Sequence, residues 1–147
     1  MGACLSAATG GSIPIIADLS DGDQAAFDAL YKVDKILGEG EFGQVTLVHA
    51  ISGENREAPQ QRYACKTLRK GAVFKDNTLW PPMPAKLLRG EVEMMQTLAG
   101  KQYCLELCKV FETKTALLLV MECCAGGEME EYVAQQTQDL RTEDGEK

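Results

Sequence analysis

The stretch Leu37-Gly38-Glu39-Gly40-Glu41-Phe42-Gly43-Gln44-Val45 constrains this chain more than any other. It lies between two short runs of strand character, Tyr31–Leu37 and Gln44–Ile51. Glycine is needed in such a turn where backbone N–H groups must approach phosphate oxygens, because a side chain would hold them away. In a dinucleotide fold a G-x-G-x-x-G run opens a helix. Here the β-branched stretch Val45–Val48 follows instead, so the turn joins two strands. A glycine-rich hairpin without a ligand has the same local pattern, so a second signal is needed.

The second signal is a pair of misplaced charges. Lys66 sits inside the apolar run Tyr63-Ala64-Cys65-Lys66-Thr67-Leu68. An ammonium in such a strand is costly without a partner. Glu91 poses the same problem on a helix. Leu87, Glu91, Met94, Met95 and Leu98 recur at helical spacing and predict one face. Pro81, Pro82 and Pro84 mark where that helix can start, and Gly100 can end it. Each charge accounts for the other if strand and helix meet. Two solvated charges are the alternative, since lysine stems can snorkel.

The remaining runs complete the expected fold. Arg62–Leu68, Val110–Glu112 and Ala116–Glu122 read as strands, with a polar loop before the first and a turn at Thr113–Thr115 before the last. Five strands and one long helix predict an α+β arrangement, the helix on one face of an antiparallel sheet. Residues 1–30 read as a flexible leader, small and apolar through residue 17. A short helix is expected from about Asp21 to Leu30, started by Ser20 with Asp23. Residues 31–147 form the expected domain.

Charge and cysteine usage narrow the function classes. The net charge of −7 is uneven: residues 1–30 carry −4, residues 31–127 carry +2, and the remaining acids lie from Glu128 onward. A nucleic-acid footprint would need a basic face, so nucleic acid is not an expected partner. The six cysteines form no C-x-x-C pair, and His49 is the single histidine, which argues against zinc. Without a secretory signal they read as reduced thiols of a cytosolic protein.

In order, LGEGEFGQV, YACK and LLLVMECCAGGE resemble the phosphate loop, the lysine strand and the fifth strand with hinge of a protein kinase N-terminal lobe. The resemblance covers residues 31 to about 147. YACKTL, MQTLAG and LVMECCAGGE look most like the calcium-dependent and calmodulin-dependent serine/threonine group. It implies ATP as cofactor, with Gly38, Gly40 and Gly43 over the phosphates, Leu37, Glu39 and Phe42 among the residues that bind it, and Val45 and Ala64 as the roof over adenine. It makes Lys66 and Glu91 the ion pair that positions phosphates. Met121 becomes the gatekeeper, Glu122 and Cys124 the hinge backbone at the adenine edge, and Glu128 the ribose contact. Met95 and Leu107 become spine members. All of these apolar groups would line the side of the lobe that faces the second lobe.

Two departures from the pattern matter. The family's H-R-D-x-x-x-x-N loop and D-F-G do not occur, so the base and the magnesium ligands are missing. The expectation is a kinase lobe without its catalytic lobe, inactive alone. Its protein substrate would be met in the complete enzyme. The second departure is the 24 residues between Lys66 and Glu91, several more than the family usually has, with Glu93 as an alternative partner.

At the start, Met1-Gly2-Ala3-Cys4-Leu5-Ser6 fits the myristoylation pattern M-G-x-x-x-[ST]. One such chain binds membranes marginally. Residues 1–30 hold no base, so palmitoylation of Cys4 is the candidate second signal. These features imply a cytoplasmic protein held at a membrane by a lipid anchor. The alternative to an enzyme fragment is a membrane-tethered decoy that binds partners of the complete kinase.

Overall fold

The computed structural model describes residues 14–40, 43–51, 61–75, 78–127 and 129–143. Gly2, Cys4, Phe42 and Glu128 lie outside the described residues. The elements run α1 (Gln24–Leu30), β1 (Tyr31–Gly40), β2 (Gly43–Ala50), β3 (Arg62–Arg69), β4 (Val73–Lys75), β5 (Thr78–Trp80), α2 (Ala85–Leu98), β6 (Leu107–Glu112), β7 (Ala116–Glu122) and α3 (Met129–Glu143). The fold is α+β, as expected from the spacing of apolar runs. Five strands pair antiparallel in the order β1-β2-β3-β7-β6.

Strand alternation divides the apolar residues between two faces. Leu117, Leu119 and Met121 of β7, with Leu68 of β3 and Val110 of β6, meet Leu88, Val92 and Met95 of α2. On the opposite side Leu118 and Val120 join Cys65, Val48, Phe27, Tyr31 and Phe111. Phe27 and Phe111 pack edge to face, ring centroids 5.5 Å apart. β7 is buried on both faces, which is why it reads as an unbroken apolar run rather than an alternating one.

β6 begins at Leu107, earlier than the predicted Val110. The register shifts between Leu107 and Lys109, and such a bulge hides the strand's start from a period-of-two reading. The added length between Lys66 and Glu91 is taken up by the β4–β5 hairpin, a separate two-stranded sheet beyond the five expected strands. Because the hairpin absorbs it, α2 returns to the sheet in the register that favours Glu91. Glu93 instead pairs with Arg89 one turn away.

α2 corrects the predicted stripe. Leu87 and Met94 are 57% and 53% exposed, while Leu88, Val92 and Met95 are buried. Apolar residues at 87, 88, 94 and 95 draw two overlapping stripes, and periodicity cannot tell which one meets the sheet. Pro84 starts the helix without a side-chain cap, and Gly100 ends it at φ +73°.

Residues 14–30, expected as part of a leader, are packed. Ile16 is fully buried in the α2 side of the core. The chain then crosses the edge of β6, where Asp21 N–H donates to the Val110 carbonyl at 2.6 Å and Glu112 N–H donates to Gly22 O at 2.9 Å. α1 follows on the opposite face and buries Phe27. Its N-cap is Asp23, whose carboxylate accepts from Ala26 N–H at 3.1 Å. Ser20 serves elsewhere: its Oγ accepts from Glu112 N–H at 3.1 Å. The segment covers a sheet edge that would otherwise present unpaired backbone groups.

Candidate functional site

The two sides of the glycine turn are held in register, Gly38 opposite Val45, Glu39 opposite Gln44 and Gly40 opposite Gly43. The three glycines have different reasons to be glycine. A Cβ on Gly43 would lie 1.6 Å from the Thr67 carbonyl oxygen, so close approach of β2 and β3 requires it. A Cβ on Gly38 or Gly40 would meet nothing within 4 Å. Nothing in the described chain needs these two positions bare, and a ligand beneath them would. Below the turn is a cleft of about 390 Å³, lined by Gly38, Gly40, Val45, Lys66, Leu68 and Met83 among others.

Lys66 enters that cleft from β3. Its register partners are Val45 on β2 and Leu119 on β7, so all three side chains share one face. From α2, Glu91 reaches the same place, and Lys66 Nζ donates to Glu91 Oε1 at 2.6 Å. The side chains are 37% and 25% exposed. The ammonium therefore keeps open directions toward the cleft while the carboxylate fixes its position. That geometry suits holding the oxygens of a phosphate chain.

One row further along β3, Ala64 stands between Leu47 and Met121. Met121 is buried, and Leu107 pairs with it from β6. Met95 of α2 joins the same cluster. The expected roof, gatekeeper and spine residues are thus brought together, but Met95 and Met121 are covered rather than laid open as expected for a lobe facing water. Exposed apolar groups lie on β1 at Val33, Ile36 and Leu37 beside the glycine turn, on the outer flank of α2, and on α3 at Met129, Tyr132 and Val133.

Beyond β7 the chain turns away as an exposed strand end. Glu122 N–H donates to the Glu106 carbonyl at 3.0 Å and so is not available to the edge of a base. Cys124 is exposed. Two further residues stand near the site. Arg69 donates from Nη2 to the Gly40 carbonyl at 3.4 Å and ties the glycine turn to the end of β3. Met83 lines the cleft from the segment before α2. Neither carries a local signal: Arg69 reaches the turn only because β3 pairs beside β2, and Met83 only because the chain returns from the β4–β5 hairpin.

The bare cradle under Gly38 and Gly40, with Lys66 at its base, fits the phosphates of a nucleoside triphosphate. Magnesium is different. Among the described residues no group of three or more His, Cys, Asp and Glu side chains is placed to hold a metal ion, so no metal-dependent step is assigned to them. His49 is paired with Asp34 at 2.8 Å. No described helix is long and apolar enough to cross a membrane.

Comparison with known proteins agrees with this geometry. The protein kinase domain family matches residues 31–146. Calcium-dependent protein kinase 14 of Oryza sativa subsp. japonica is 39% identical over 102 residues, covering 69% of this chain and 17% of the relative. Calcium-dependent protein kinase 1 of Arabidopsis thaliana is 31% identical over 110 residues, 74% of this chain and 16% of the relative. The chain spans about a sixth of the length of these curated relatives. With the glycine cradle, the Lys66–Glu91 pair and the five-stranded sheet in place, the chain belongs to the protein kinase family.

Proposed function

We propose that this chain is the ATP-binding lobe of a serine/threonine protein kinase, which in the complete enzyme transfers the terminal phosphoryl group of ATP to a protein hydroxyl. The observation that carries the reading is the 2.6 Å Lys66–Glu91 bond at the floor of a cradle whose upper glycines, Gly38 and Gly40, leave empty the space a Cβ would fill. Glycine backbone and Lys66 hold the phosphates, Val45 and Ala64 cover the base, and Glu122 and Cys124 read its edge. Glu128 is the proposed ribose contact and lies, with Phe42, outside the described residues. Serine/threonine specificity is supported by the similarity to calcium-dependent kinases. The 147 residues contain no H-R-D or D-F-G, so these residues alone transfer no phosphate.

An ATP ester bearing a reactive acyl group on its terminal phosphate tests the site. A lysine beside the phosphates attacks the acyl carbon, forms an amide and releases ATP. Lys66 is the expected site of modification, ahead of the exposed Lys86 and Lys101, with suppression by millimolar ATP. Labelling spread evenly over surface lysines and insensitive to ATP would overturn the reading.

Membrane tethering through myristoyl-Gly2 and palmitoyl-Cys4 is the second part of the proposal, supported by Met1-Gly2-Ala3-Cys4-Leu5-Ser6. In cells, Gly2→Ala should release the chain from membranes and Cys4→Ser should weaken its retention. Equal membrane fractions for all three forms would remove this part while leaving the ATP site untouched.

A further inference from the structure

We propose that residues 15–21 are a built-in strap that positions α2, so that Ile16, Asp18, Arg89 and Glu112 act as positioning residues for the Lys66–Glu91 pair. The significance of that pair rests on the nucleotide-site reading above. The strap itself rests on separate contacts.

α2 is weakly anchored by its own sequence. Three residues bury it against the sheet, its N-terminal end has no side-chain cap, and Leu87 and Met94 on its outer flank are exposed. Yet Glu91 must be held to within a fraction of an ångström for a 2.6 Å bond to Lys66. The strap supplies what α2 lacks. Arg89, two residues before Glu91, donates from Nη1 and Nη2 to the two carboxylate oxygens of Asp18 at 2.9 and 2.7 Å. Such a two-bond fork fixes orientation as well as distance. Arg89 Nη1 also reaches the Ile15 carbonyl at 3.4 Å, and further along the helix Gln96 Nε2 donates to the Leu19 carbonyl at 3.4 Å. Between these grips Ile16 is fully buried in the same cluster as Leu88 and Val92.

The other side of the strap is fixed to the sheet. Glu112 on β6 accepts from Ile15 N–H at 2.6 Å with one carboxylate oxygen and from Ile16 N–H at 2.9 Å with the other. Lys70 Nζ, at the end of β3, holds the first oxygen at 2.7 Å. Asp21 accepts from Val110 N–H at 2.7 Å. The strap therefore joins the sheet that carries Lys66 to the helix that carries Glu91. Charge complements this layout: the segment brings Asp18 to a helix face that offers Arg89.

The test is a zero-length cross-link on the full chain. A water-soluble carbodiimide activates a carboxylate, and an amine in contact displaces it to give an amide, the carbodiimide leaving as its urea. The product from Lys66 and Glu91 is read by peptide mass. Asp18→Asn should lower its yield roughly two- to fivefold, the range of an exposed ion pair. Ile16→Ala should lower it roughly tenfold, as a buried isoleucine is lost. Asp18→Glu, which keeps the carboxylate, should restore most of the yield. Amide exchange in β3 shows that each variant is folded. Should Ile16→Ala not fold, Asp18→Asn alone decides, since Asp18 is largely exposed. Parent-like yield in folded Asp18→Asn and Ile16→Ala would overturn the strap. A second arm compares Mg-ATP with adenosine by calorimetry. Where the parent binds both, Asp18→Asn should weaken Mg-ATP and leave adenosine unchanged, because only the phosphates meet Lys66. Equal affinity for Mg-ATP in parent and variant would count against the strap. A parent that binds neither removes the nucleotide-site reading, and the cross-link still decides the strap.

Discussion

Lys66 and Glu91 meet at 2.6 Å, although one arrives on a central strand and the other on a helix 25 residues later. Neither residue is explicable alone, and together they set the floor of the glycine cradle. The pair is partly open to water, and that openness separates its structural from its functional weight.

Breaking the pair should therefore cost little stability. With Lys66 37% exposed, solvent screens the attraction, and Lys66→Ala or Glu91→Gln should each lower unfolding free energy by less than about 1 kcal/mol. Urea titration of each variant measures this. Lys66→Ala should abolish acylation at position 66, and Glu91→Gln should make it less selective and less sensitive to suppression by ATP.

The glycine turn should split the same two properties. Gly43→Ala places a methyl group 1.6 Å from a backbone oxygen, so strands must separate, at a cost of about 3 kcal/mol. Gly40→Ala meets only open space and should change stability by less than about 0.5 kcal/mol, yet it should reduce protection of Lys66 by ATP. Thermal melts and competition labelling of both variants give the comparison.

Glu112 should make the fold acid-sensitive. Burial pushes its carboxyl up, but hydrogen bonds from Ile15 N–H, Lys70 and Ile16 N–H outweigh that and hold it below its ordinary value of 4.5. A depressed acid stabilises the fold fully above its unfolded value, and the contribution is lost as pH falls through the folded one. Stability of the parent should thus drop on acidification below about pH 4.5 more steeply than that of Glu112→Gln. At neutral pH, Glu112→Ala leaves Lys70 buried without its carboxylate and should cost about 3 kcal/mol. Denaturant midpoints across pH check both.

Cys65 should report global unfolding. Its thiol is buried under the sheet, and burial pushes it up to about 12, partly offset by a hydrogen bond with Thr67. The thiolate is the reactive form, so native Cys65 should resist alkylation at pH 8 while the exposed Cys124 reacts. Peptide mass mapping after a short iodoacetamide pulse distinguishes them. Cys65 should become reactive across the same denaturant range in which the fold is lost.

The five strands were legible because each is a short apolar or branched run bounded by turn formers, and β7 because burial on both faces leaves no polar position in it until Glu122. The glycine turn and the two misplaced charges were legible because each breaks a local rule of its element. The β4–β5 hairpin was not, since three-residue strands carry too few residues for a pattern. The strap was read as leader for a similar reason. Ile15 and Ile16 lie in a short run of small and apolar residues around Pro14, too brief for a pattern that tells a packed segment from a leader.

The sequence by itself determined the five strands of the main sheet and the long helix, the α+β class, the position of the glycine cradle and the need of Lys66 and Glu91 for partners. Those are properties of local spacing and of the cost of burying a charge. Only the tertiary structure decided which stripe of α2 meets the sheet. It also decided that Glu91 rather than Glu93 reaches Lys66, and that residues 14–30 wrap the β6 edge from one face to the other. Each of these depends on groups far apart in the chain: Asp18 with Arg89, Ile15 with Glu112, Ile16 with Val92. Such partners have no fixed spacing, and only the folded chain brings them within bonding distance.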